Sequence, residues 1–372
     1  MTERVRFGIV GFGDMGFKHA QCMLEEVREA CLAAVATKNE TNIARLRALP
    51  GGADVRIFDT PAQMYASGEI DAVLIASPHR AHVAQGREAF AYGMHVLMEK
   101  PTGVFTGEVR RLNAAADAAG RAFSVVFNVR TNPCMQRMKA IVDSGELGEI
   151  RRTSCIVTNW IRGQHYYDAV PWHATWAYDG GGVLLNQAPH NLDLWQWICG
   201  MPVSIRAFCG FGRWHDIEVE DDVTAYAEYA NGATGTFIAC TGEAPGTNRF
   251  EISMDGGQLL YENDRLLLRR LKTPVSQFIR ENKGMFNKPE MEEADVTPEE
   301  PYTKYAGVIR AFARHILYGE AMVADGREGL NSLMLSNAML LSAFTGETVR
   351  LPLDRAAEER YEQLLAQKAE KK

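Results

Sequence analysis

A glycine-rich turn is the first feature of this sequence whose residue types and spacing could do chemistry. Gly11, Gly13 and Gly16 form a Gly-x-Gly-x-x-Gly pattern directly after the apolar run Val5–Val10. The first glycine makes a tight turn, the second lets the backbone approach a pyrophosphate, and the third lets helix and strand pack closely. The helix that follows presents free N–H groups to an anion. The pattern therefore predicts that a dinucleotide binds along Gly11, Phe12, Gly13, Asp14, Met15 and Gly16.

The end of the second predicted strand, residues 32–37, leaves the choice of dinucleotide open. Its sequence is Ala36-Thr37-Lys38-Asn39, without the carboxylate that commonly binds the ribose 2′-hydroxyl about 20 residues after the glycine turn. Thr37 and Lys38 could instead hold the 2′-phosphate of NADP, although Lys38 is equally well interpreted as a solvated surface charge. We therefore expect NAD or NADP as the cofactor, and only Thr37 and Lys38 favour NADP.

The elements that must position this turn alternate between strand and helix over the first third of the chain. Residues 71–77 form a continuous apolar run, typical of a parallel strand that is covered on both faces. Predicted helices at 80–92 and 105–119 end at glycines, and predicted strands follow at 95–98 and 122–129. This alternation predicts a doubly wound parallel sheet.

The pattern changes after Val129. A predicted helix at 133–144 precedes a series of short strands, and a second helix is predicted at 187–198. Asn231-Gly232 predicts a two-residue hairpin between strands 222–230 and 233–241, so the sheet should be largely antiparallel. Residues 272–302 are polar and predict an irregular segment, and helices are predicted at 303–318 and 327–343.

The predicted fold class is therefore α/β, with an N-terminal Rossmann doubly wound parallel sheet and a C-terminal domain built on a largely antiparallel sheet. The predicted domains are residues 1–129, which bind NAD(P), and residues 130–372, which bind substrate and support oligomerisation. The helices within 303–343 could pack back on the first domain.

Composition excludes several classes of protein. The 372 residues include 40 Lys+Arg and 47 Asp+Glu, a net charge of −7, and 46% are hydrophobic. These values argue against a disordered chain and against a general nucleic-acid binder. No apolar run approaches the roughly 20 residues that cross a bilayer, so no membrane partner is expected. The N-terminus lacks an export signal, and the seven cysteines form no Cys-x-x-Cys pair, which favours reduced thiols and a cytoplasmic location.

Several short motifs together resemble the glucose–fructose oxidoreductase / inositol dehydrogenase family (Gfo/Idh/MocA). The resemblance spans nearly the whole chain. Its motifs are Glu99-Lys100-Pro101, Ala76-Ser77-Pro78, Asn128-x-Arg130, Gly180-Gly181-Gly182, His190-Asn191-Leu192-Asp193-Leu194 and Arg350-Leu351-Pro352. Taken together these motifs are specific, whereas Glu-Lys-Pro alone would not be.

The resemblance implies a Rossmann domain followed by an α/β domain with an open sheet, which often serves as an oligomer interface. A homodimer or homotetramer is therefore expected. The implied chemistry is hydride transfer between a nicotinamide and a sugar or cyclitol carbinol. The cofactor would also contact polar groups at other strand ends, and the implied residues are Ser77, Pro78, His79, Glu99, Lys100 and Asn128.

The implied catalytic residues are Lys100 and His190, with Asn186 where the family usually has an acid. Alcohol oxidation requires a base with a pKa near 7, which His190 or a buried Lys100 could provide. A carboxylate at 186 would stabilise a protonated imidazole, whereas an amide can only hydrogen-bond. We expect Lys100 and His190 to share a proton relay and Asn186, one helical turn before His190, to orient the substrate hydroxyl. Asp193 could orient His190, although a structural role is favoured.

An aromatic segment at residues 160–176 suits a sugar, because sugar rings stack on aromatic faces while their hydroxyls need fixed polar groups. The guanidinium of Arg162 would also suit an acidic or phosphorylated substrate. A protein core or a subunit interface is an equally good interpretation of the aromatics. The substrate residues predicted here are Arg162, Tyr166, Trp172 and His173, with Trp160, Gln164, Tyr167 and Trp176 as further candidates.

Three functions remain open. The first is a dehydrogenase acting on a ring secondary alcohol of a sugar, glycoside or cyclitol, for example at C3 of a glucoside. The second is a glycoside-cleaving enzyme that oxidises its substrate transiently with a bound cofactor. The third is a non-catalytic dinucleotide-binding regulator. A metal site is not expected, since the acidic residues 215–222 lack the spacing of zinc ligands and favour a solvated loop.

Overall fold

The computed structural model describes residues 4–170 and 173–370. It divides into two compact units. The first comprises Met1–Thr131 and Thr303–Leu333, and the second comprises Asn132–Tyr302 and Met334–Lys372. The first boundary between the units thus follows Thr131, two residues after the predicted domain boundary at residue 129. Residues 303–333, from the late helical region, belong to the first unit.

The helices and strands alternate up to residue 125. In chain order they are β1 (Val5–Val10), α1 (Asp14–Glu25), β2 (Ala30–Ala36), α2 (Glu40–Arg47), β3 (Arg56–Phe58), α3 (Pro61–Ala66), β4 (Ala72–Ile75), α4 (His79–Ala91), β5 (His95–Met98), α5 (Thr106–Ala119) and β6 (Phe123–Val125).

The next segment is richer in strands. Its elements are α6 (Pro133–Ser144), β7 (Ile150–Val157), α7 (Gln164–Asp168), α8 (Pro189–Cys199), β8 (Ser204–Phe211), β9 (Glu220–Glu228), β10 (Thr234–Cys240), β11 (Asn248–Met254), β12 (Gly257–Glu262), β13 (Arg265–Leu271), α9 (Val275–Glu281) and β14 (Met291–Asp295). The last elements are α10 (Lys304–Tyr318), α11 (Gly329–Thr345), β15 (Val349–Arg350) and α12 (Arg355–Ala369).

The sheet of the first unit has six parallel strands in the order β3-β2-β1-β4-β5-β6. The chain moves from β1 to one side and then returns to place β4 on the other side, so β1 and β4 form the switch point at which such sheets bind ligands. All four residues of β4 are buried, as the continuous apolar run predicts. Helix α10 packs on this sheet, with the Phe312 ring 6.2 Å from that of Phe7.

The second unit contains a nine-stranded sheet in the order β14-β13-β12-β11-β7-β10-β9-β8-β15. Its neighbouring strands are antiparallel except for β7 and β10, which are parallel. The predicted fold class, a Rossmann sheet followed by a largely antiparallel sheet, is confirmed.

The connection between β9 and β10 differs from the predicted two-residue hairpin. Tyr229 N–H donates to Ala233 O at 2.9 Å, so three residues form the loop, and Gly232 N–H donates to Tyr229 O. Gly232 has a φ of 84°. A turn followed by a left-handed glycine is the usual three-residue hairpin, which Asn-Gly also suits.

The segment predicted to be irregular, residues 272–302, contains α9 and β14. All five residues of β14 are exposed, so no apolar alternation marks it as a strand. Its side chains instead form ion pairs with β13. Arg269 contacts Glu293 at 2.7 Å, and Arg265 contacts Asp295 at 2.7 Å. Across the two described ranges, none of the helices combines the length and the apolar character that spanning a membrane requires.

Candidate active site

The glycine turn after β1 has the geometry of a dinucleotide cradle. Gly11 has a φ of 83°, and a Cβ there would lie 2.4 Å from the backbone nitrogen of Ser77. A Cβ on Gly16 would lie 2.4 Å from Gly11 O, so this glycine permits close packing of α1 on the turn. Gly13, which caps α1, has no atom within 4 Å of a Cβ position. The three glycines therefore match their three expected roles, and the open one leaves room for a phosphate.

The residues around Gly13 complete this cradle. Phe12 is buried, while Asp14 and Met15 are exposed and begin the first turn of α1, whose N–H groups have no acceptor within the helix. Arg45 donates to Asp14 Oδ1 at 3.0 Å, which leaves the backbone N–H groups as the anion-binding groups. These residues fit the diphosphate of an NAD-type cofactor.

Thr37 and Lys38 lie at the end of β2, as predicted. Lys38 is exposed, and Thr37 Oγ1 accepts the N–H of Asn39 at 3.2 Å. Asn39 in turn caps α2 by accepting the N–H of Asn42 at 3.0 Å. Lys38 is thus a solvent-facing cation beside a fixed turn, an arrangement compatible with both interpretations of this residue.

Lys100 follows β5 at the same edge of the sheet that holds the glycine turn. Glu99 N–H donates to Ile75 O at 2.8 Å, the continuation of the β4–β5 ladder. The Lys100 N–H donates to Glu99 Oε2 at 3.0 Å, and Lys100 is partly exposed. Parallel strands that end together bring Lys100 to the edge at which ligands bind.

The neighbouring strand end carries the other predicted cofactor residues. Ser77 Oγ donates to Gln85 Oε1 at 2.5 Å, and Pro78 is exposed at the N-terminus of α4. His79 is the first residue of α4 and is partly exposed. Asn128, in the turn after β6, is buried, and its carbonyl accepts the hydroxyl of Thr131 at 2.8 Å. These residues remain predicted cofactor contacts.

Two fully buried histidines lie beside Lys100, and sequence reasoning assigned neither to the site. His19, on α1, places Nε2 2.7 Å from Glu99 Oε1. His82, on α4, places Nδ1 2.7 Å from Pro101 O and Nε2 2.7 Å from Ser77 O. Burial lowers the pKa of His82. The two carbonyl groups favour the protonated ring and act in the opposite direction, but burial has the larger effect. The sequence signal that could have indicated them is their position on the buried faces of α1 and α4.

In the second unit, Asn186 and His190 do not share a helix face. Helix α8 begins at Pro189, and Asn186 lies in the turns before it, where its N–H donates to Gly182 O at 2.9 Å. The prediction of one continuous helix through both residues was wrong, because consecutive turns at 182–188 imitate helical spacing. Both residues are partly exposed. Asp193 is buried and accepts a hydrogen bond from Gln196 at 3.0 Å, in keeping with a structural role.

The acidic residues predicted to form a solvated loop are partly buried, and that prediction was wrong for Glu220 and Asp221. Asp221 accepts the backbone N–H groups of Arg213, Trp214 and His215 at 2.8–3.1 Å and faces His215 Nδ1 at 2.9 Å. Glu220 lies under the turns that carry Asn186, and burial raises its pKa to about 7. Within the described residues, no three His, Cys, Asp or Glu side chains gather as metal ligands.

The aromatic segment divides into a buried part and a partly exposed part. Trp176 is buried against Phe211 and Phe344, and Tyr167 is buried with its hydroxyl 2.9 Å from Thr241 Oγ1. Both therefore belong to the core. The side-chain amide of Gln164 donates to Asp216 O and accepts the Asp216 N–H. Trp160 is partly exposed.

The partly exposed part is a stack of three side chains. The Arg162 guanidinium lies 5.2 Å from the centre of the Tyr166 ring, and the His173 ring stacks on Tyr166 at 5.5 Å and 25°. His173 also lines a cavity of about 420 Å³ together with Asp168, Asp216 and Glu218. The fourth predicted substrate residue, Trp172, lies outside the described residues.

Two family models match successive stretches of the chain. The model described as an oxidoreductase family with an NAD-binding Rossmann fold matches residues 5–127. The model described as the GFO/IDH/MocA C-terminal domain matches residues 135–260.

Curated proteins and solved structures give the same result. The rhizopine catabolism protein MocA of Rhizobium meliloti is 30% identical over 210 residues, which cover 55% of this chain and 60% of that protein, less than two thirds of its length. Inositol 2-dehydrogenase of Rhizobium meliloti (strain 1021) is 28% identical over 347 residues, which cover 91% of this chain and 96% of that protein.

Among solved structures, the WlbA dehydrogenase from Bordetella pertussis, in complex with NADH and UDP-GlcNAcA, is 27% identical. It aligns over 95% of this chain and 99% of that chain with a TM-score of 0.78. The two family models match successive parts of the chain and confirm the resemblance that the motifs indicate. The chain belongs to the Gfo/Idh/MocA family of oxidoreductases.

Proposed function

We propose that this protein is an NAD(P)-dependent dehydrogenase that oxidises a ring secondary alcohol of a sugar or cyclitol by hydride transfer. The observation that carries the proposal lies at one edge of the six-stranded sheet, where the open cradle at Gly13 and the strand end that bears Lys100 occur together. The similarity to an inositol 2-dehydrogenase and to the WlbA dehydrogenase supports the substrate class.

The proton chemistry belongs to the chain's own residues, while a bound nicotinamide supplies the hydride acceptor. Oxidation releases the hydroxyl proton as hydride leaves the carbon, so a base is needed at that hydroxyl. The positive charge of an oxidised nicotinamide disfavours the ammonium form of a nearby lysine. Lys100 can therefore accept the proton or polarise the hydroxyl, and we assign it this role.

His190 and Asn186 complete the proposed catalytic set. His190 shares the proton transfer with Lys100, and the Asn186 amide, which both donates and accepts hydrogen bonds, orients a substrate hydroxyl. An amide cannot stabilise an imidazolium as a carboxylate would, so the larger share of the proton transfer falls to Lys100. The hydrogen bond that Asp193 accepts from Gln196 supports its assignment as a structural group.

A finer version of the proposal concerns the substrate and the cofactor. The stack of Arg162, Tyr166 and His173 supports a substrate with a second group beside the oxidised ring, such as a glucoside oxidised at C3. The exposed Lys38 beside Thr37 supports NADP as an accepted cofactor. A homodimer or homotetramer is proposed from the family resemblance, and a cytoplasmic location from the cysteines, which form no Cys-x-x-Cys pair.

The test is turnover with a panel of inositols, free sugars, sugar acids and glycosides, each with NAD⁺ and with NADP⁺. Reduced nicotinamide should appear with one substrate class. Lys100→Met should lower kcat by about 100-fold or more, the loss typical of a missing general base. The matched control is Lys283→Met, which changes an exposed lysine of the other unit and should leave turnover intact.

Two other outcomes identify the alternative functions. Products without reduced cofactor would replace the dehydrogenase with a glycoside-cleaving enzyme that uses its cofactor transiently. Tight dinucleotide binding without any product would favour a non-catalytic regulator, for which Asn186 at the usual acidic position is the supporting observation. Full turnover by Lys100→Met would overturn the assignment of Lys100.

A further inference from the structure

The short segment that carries Lys100 is held on both sides by a buried histidine. On one side, His19 Nε2 donates to Glu99 Oε1 at 2.7 Å, and Glu99 Oε2 accepts the Lys100 N–H at 3.0 Å. On the other side, His82 Nδ1 lies 2.7 Å from Pro101 O. The residues before and after Lys100 are therefore tied to two different helices, α1 and α4.

The second contact of His82 extends this restraint to the neighbouring strand. Its Nε2 lies 2.7 Å from Ser77 O, just beyond β4, while Pro101 lies just beyond β5. Proline has no N–H to donate, so it cannot continue the ladder between the two strands. The His82 ring thus lies between the two strand extensions, and in its neutral form its one N–H can donate to Pro101 O from Nδ1, where the backbone of Pro101 offers no donor.

The environment of both imidazoles indicates that hydrogen bonding, rather than space filling, selects histidine. Each side chain is fully buried, and burying a polar ring costs free energy that its hydrogen bonds must offset. His19 retains that cost at Nδ1, which has no partner among the described residues, so the Nε2 contact with Glu99 is the hydrogen bond that favours histidine there. The centres of the His19 and Tyr305 rings lie 5.1 Å apart with the rings nearly perpendicular, an aromatic contact that phenylalanine could make without that cost.

We propose that His19 and His82 are positioning residues for Lys100. They fix the backbone on both sides of this lysine and thereby set the direction of its amine. A displacement of about 1 Å at a reacting group can cost about 100-fold in rate, so such restraint has a measurable effect. The proposal rests on the catalytic role proposed for Lys100.

Asparagine and glutamine distinguish the two roles, because their amide nitrogens replace different ring nitrogens. The asparagine nitrogen lies near the position of Nδ1, and the glutamine nitrogen lies near that of Nε2. At position 82, Asn places a donor beside Pro101 O and Gln does not, so the order tests an Nδ1–H donor in His82. At position 19, Gln keeps the donor to Glu99 and Asn loses it. Space filling alone would rank Asn and Gln in the same order at both positions.

The expected result is a reversal of that order. His82→Gln and His19→Asn should lower kcat by about 100-fold, a larger effect than any change in the KM for the dinucleotide, because the glycine turn is untouched. His82→Asn and His19→Gln should retain much more of the wild-type kcat. The same ranking of Asn and Gln at both positions, or an effect confined to KM, would overturn the proposal.

A further variant covers the case in which a histidine variant does not fold. Glu99→Gln leaves one acceptor oxygen for the two donors, His19 Nε2 and Lys100 N–H. It should lower kcat, because the backbone at Lys100 loses part of its restraint. An unchanged kcat would contradict the positioning role.

A readout without substrate separates this proposal from the proposed function. The rate at which an acylating reagent modifies Lys100 is measured against pH by mass spectrometry, with exposed Lys283 as the internal control. His82→Gln and His19→Asn should change the Lys100 profile, and their partner variants should not. If no panel substrate turns over but the profile changes, the proposed function fails and the positioning role stands. If all four variants show the same Lys100 profile as the wild type, the positioning role is overturned even for a proven dehydrogenase.

Discussion

The Glu220 carboxylate accepts the backbone N–H of Leu184 at 3.0 Å, from a position with no solvent exposure. The backbone of Glu220 contributes as well, since its carbonyl accepts the N–H of Val183 at 2.9 Å. A Cβ on Gly182 would lie 2.0 Å from that carbonyl, so only glycine permits this approach. A buried acid therefore supports the turns that lead to Asn186 and to α8.

This acid should make stability depend on pH. Burial raises the pKa of Glu220 from 4.5 to about 7. Between these values the unfolded chain has lost the proton that the folded chain keeps, so the free energy of unfolding should fall as pH rises and level off above about pH 7. A shift of this size corresponds to a few kcal/mol. Glu220→Gln, which cannot ionise, should flatten the decline, as measured by denaturant unfolding from pH 4.5 to 8.

The matched control for this measurement is Glu300→Gln, which changes an exposed glutamate of the same unit. Its pH dependence should follow that of the wild type. Parallel curves for Glu220→Gln and the wild type would show that Glu220 titrates as it does in the unfolded chain.

The sequence predicted much of the fold because its signals are local. Strand β5 and helix α6 have the predicted bounds, since an apolar run sets the strand and Gly145 ends the helix. Exposed β14 was not predicted because charged side chains, which form ion pairs with β13, line its ladder, and no apolar pattern marks it as a strand.

The site divides in the same way. The glycine turn could be predicted because the roles of Gly11, Gly13 and Gly16 depend on their immediate neighbours. The His19–Glu99 contact joins residues 80 positions apart and appears only once α1 packs on the sheet. Glu220 likewise accepts a hydrogen bond from Leu184, 36 positions away. The acidic sequence around it therefore predicted a solvated loop instead of a buried carboxylate.

The glycine turn gives a matched pair of substitutions. Gly13→Ala has open space around the new methyl group, so the melting temperature should stay near that of the wild type. The methyl group would occupy phosphate space, so the dinucleotide Kd should rise by about tenfold, or about 1.4 kcal/mol. Gly16→Ala would place its methyl 2.4 Å from Gly11 O and should lower the melting temperature itself. Calorimetric titration and thermal unfolding check both, and tight dinucleotide binding by Gly13→Ala would contradict the assignment of the cradle.

Lys38 tests the preference for NADP. If its ammonium holds a 2′-phosphate, Lys38→Ala should weaken NADP binding by about tenfold and leave NAD binding unchanged. The loss should shrink at high salt, because Lys38 is exposed and its charge is screened. Binding is measured for both dinucleotides at two salt concentrations, with Lys283→Ala as the control. An equal effect on both dinucleotides would exclude a specific contact with the 2′-phosphate.

The Tyr166 ring contacts both Arg162 and His173 in the stack of the second unit. Tyr166→Ala removes both ring contacts, so Arg162 and His173 should lose their fixed orientation, and the KM for the carbohydrate should rise by about tenfold. Tyr166→Phe keeps the aromatic face and should behave like the wild type if stacking is what matters. The kcat should change less than the KM in both variants, because the stack is assigned to binding rather than to proton transfer. If Tyr166→Ala instead lowered the melting temperature and left KM unchanged, the stack would belong to the core, as Tyr167 and Trp176 do.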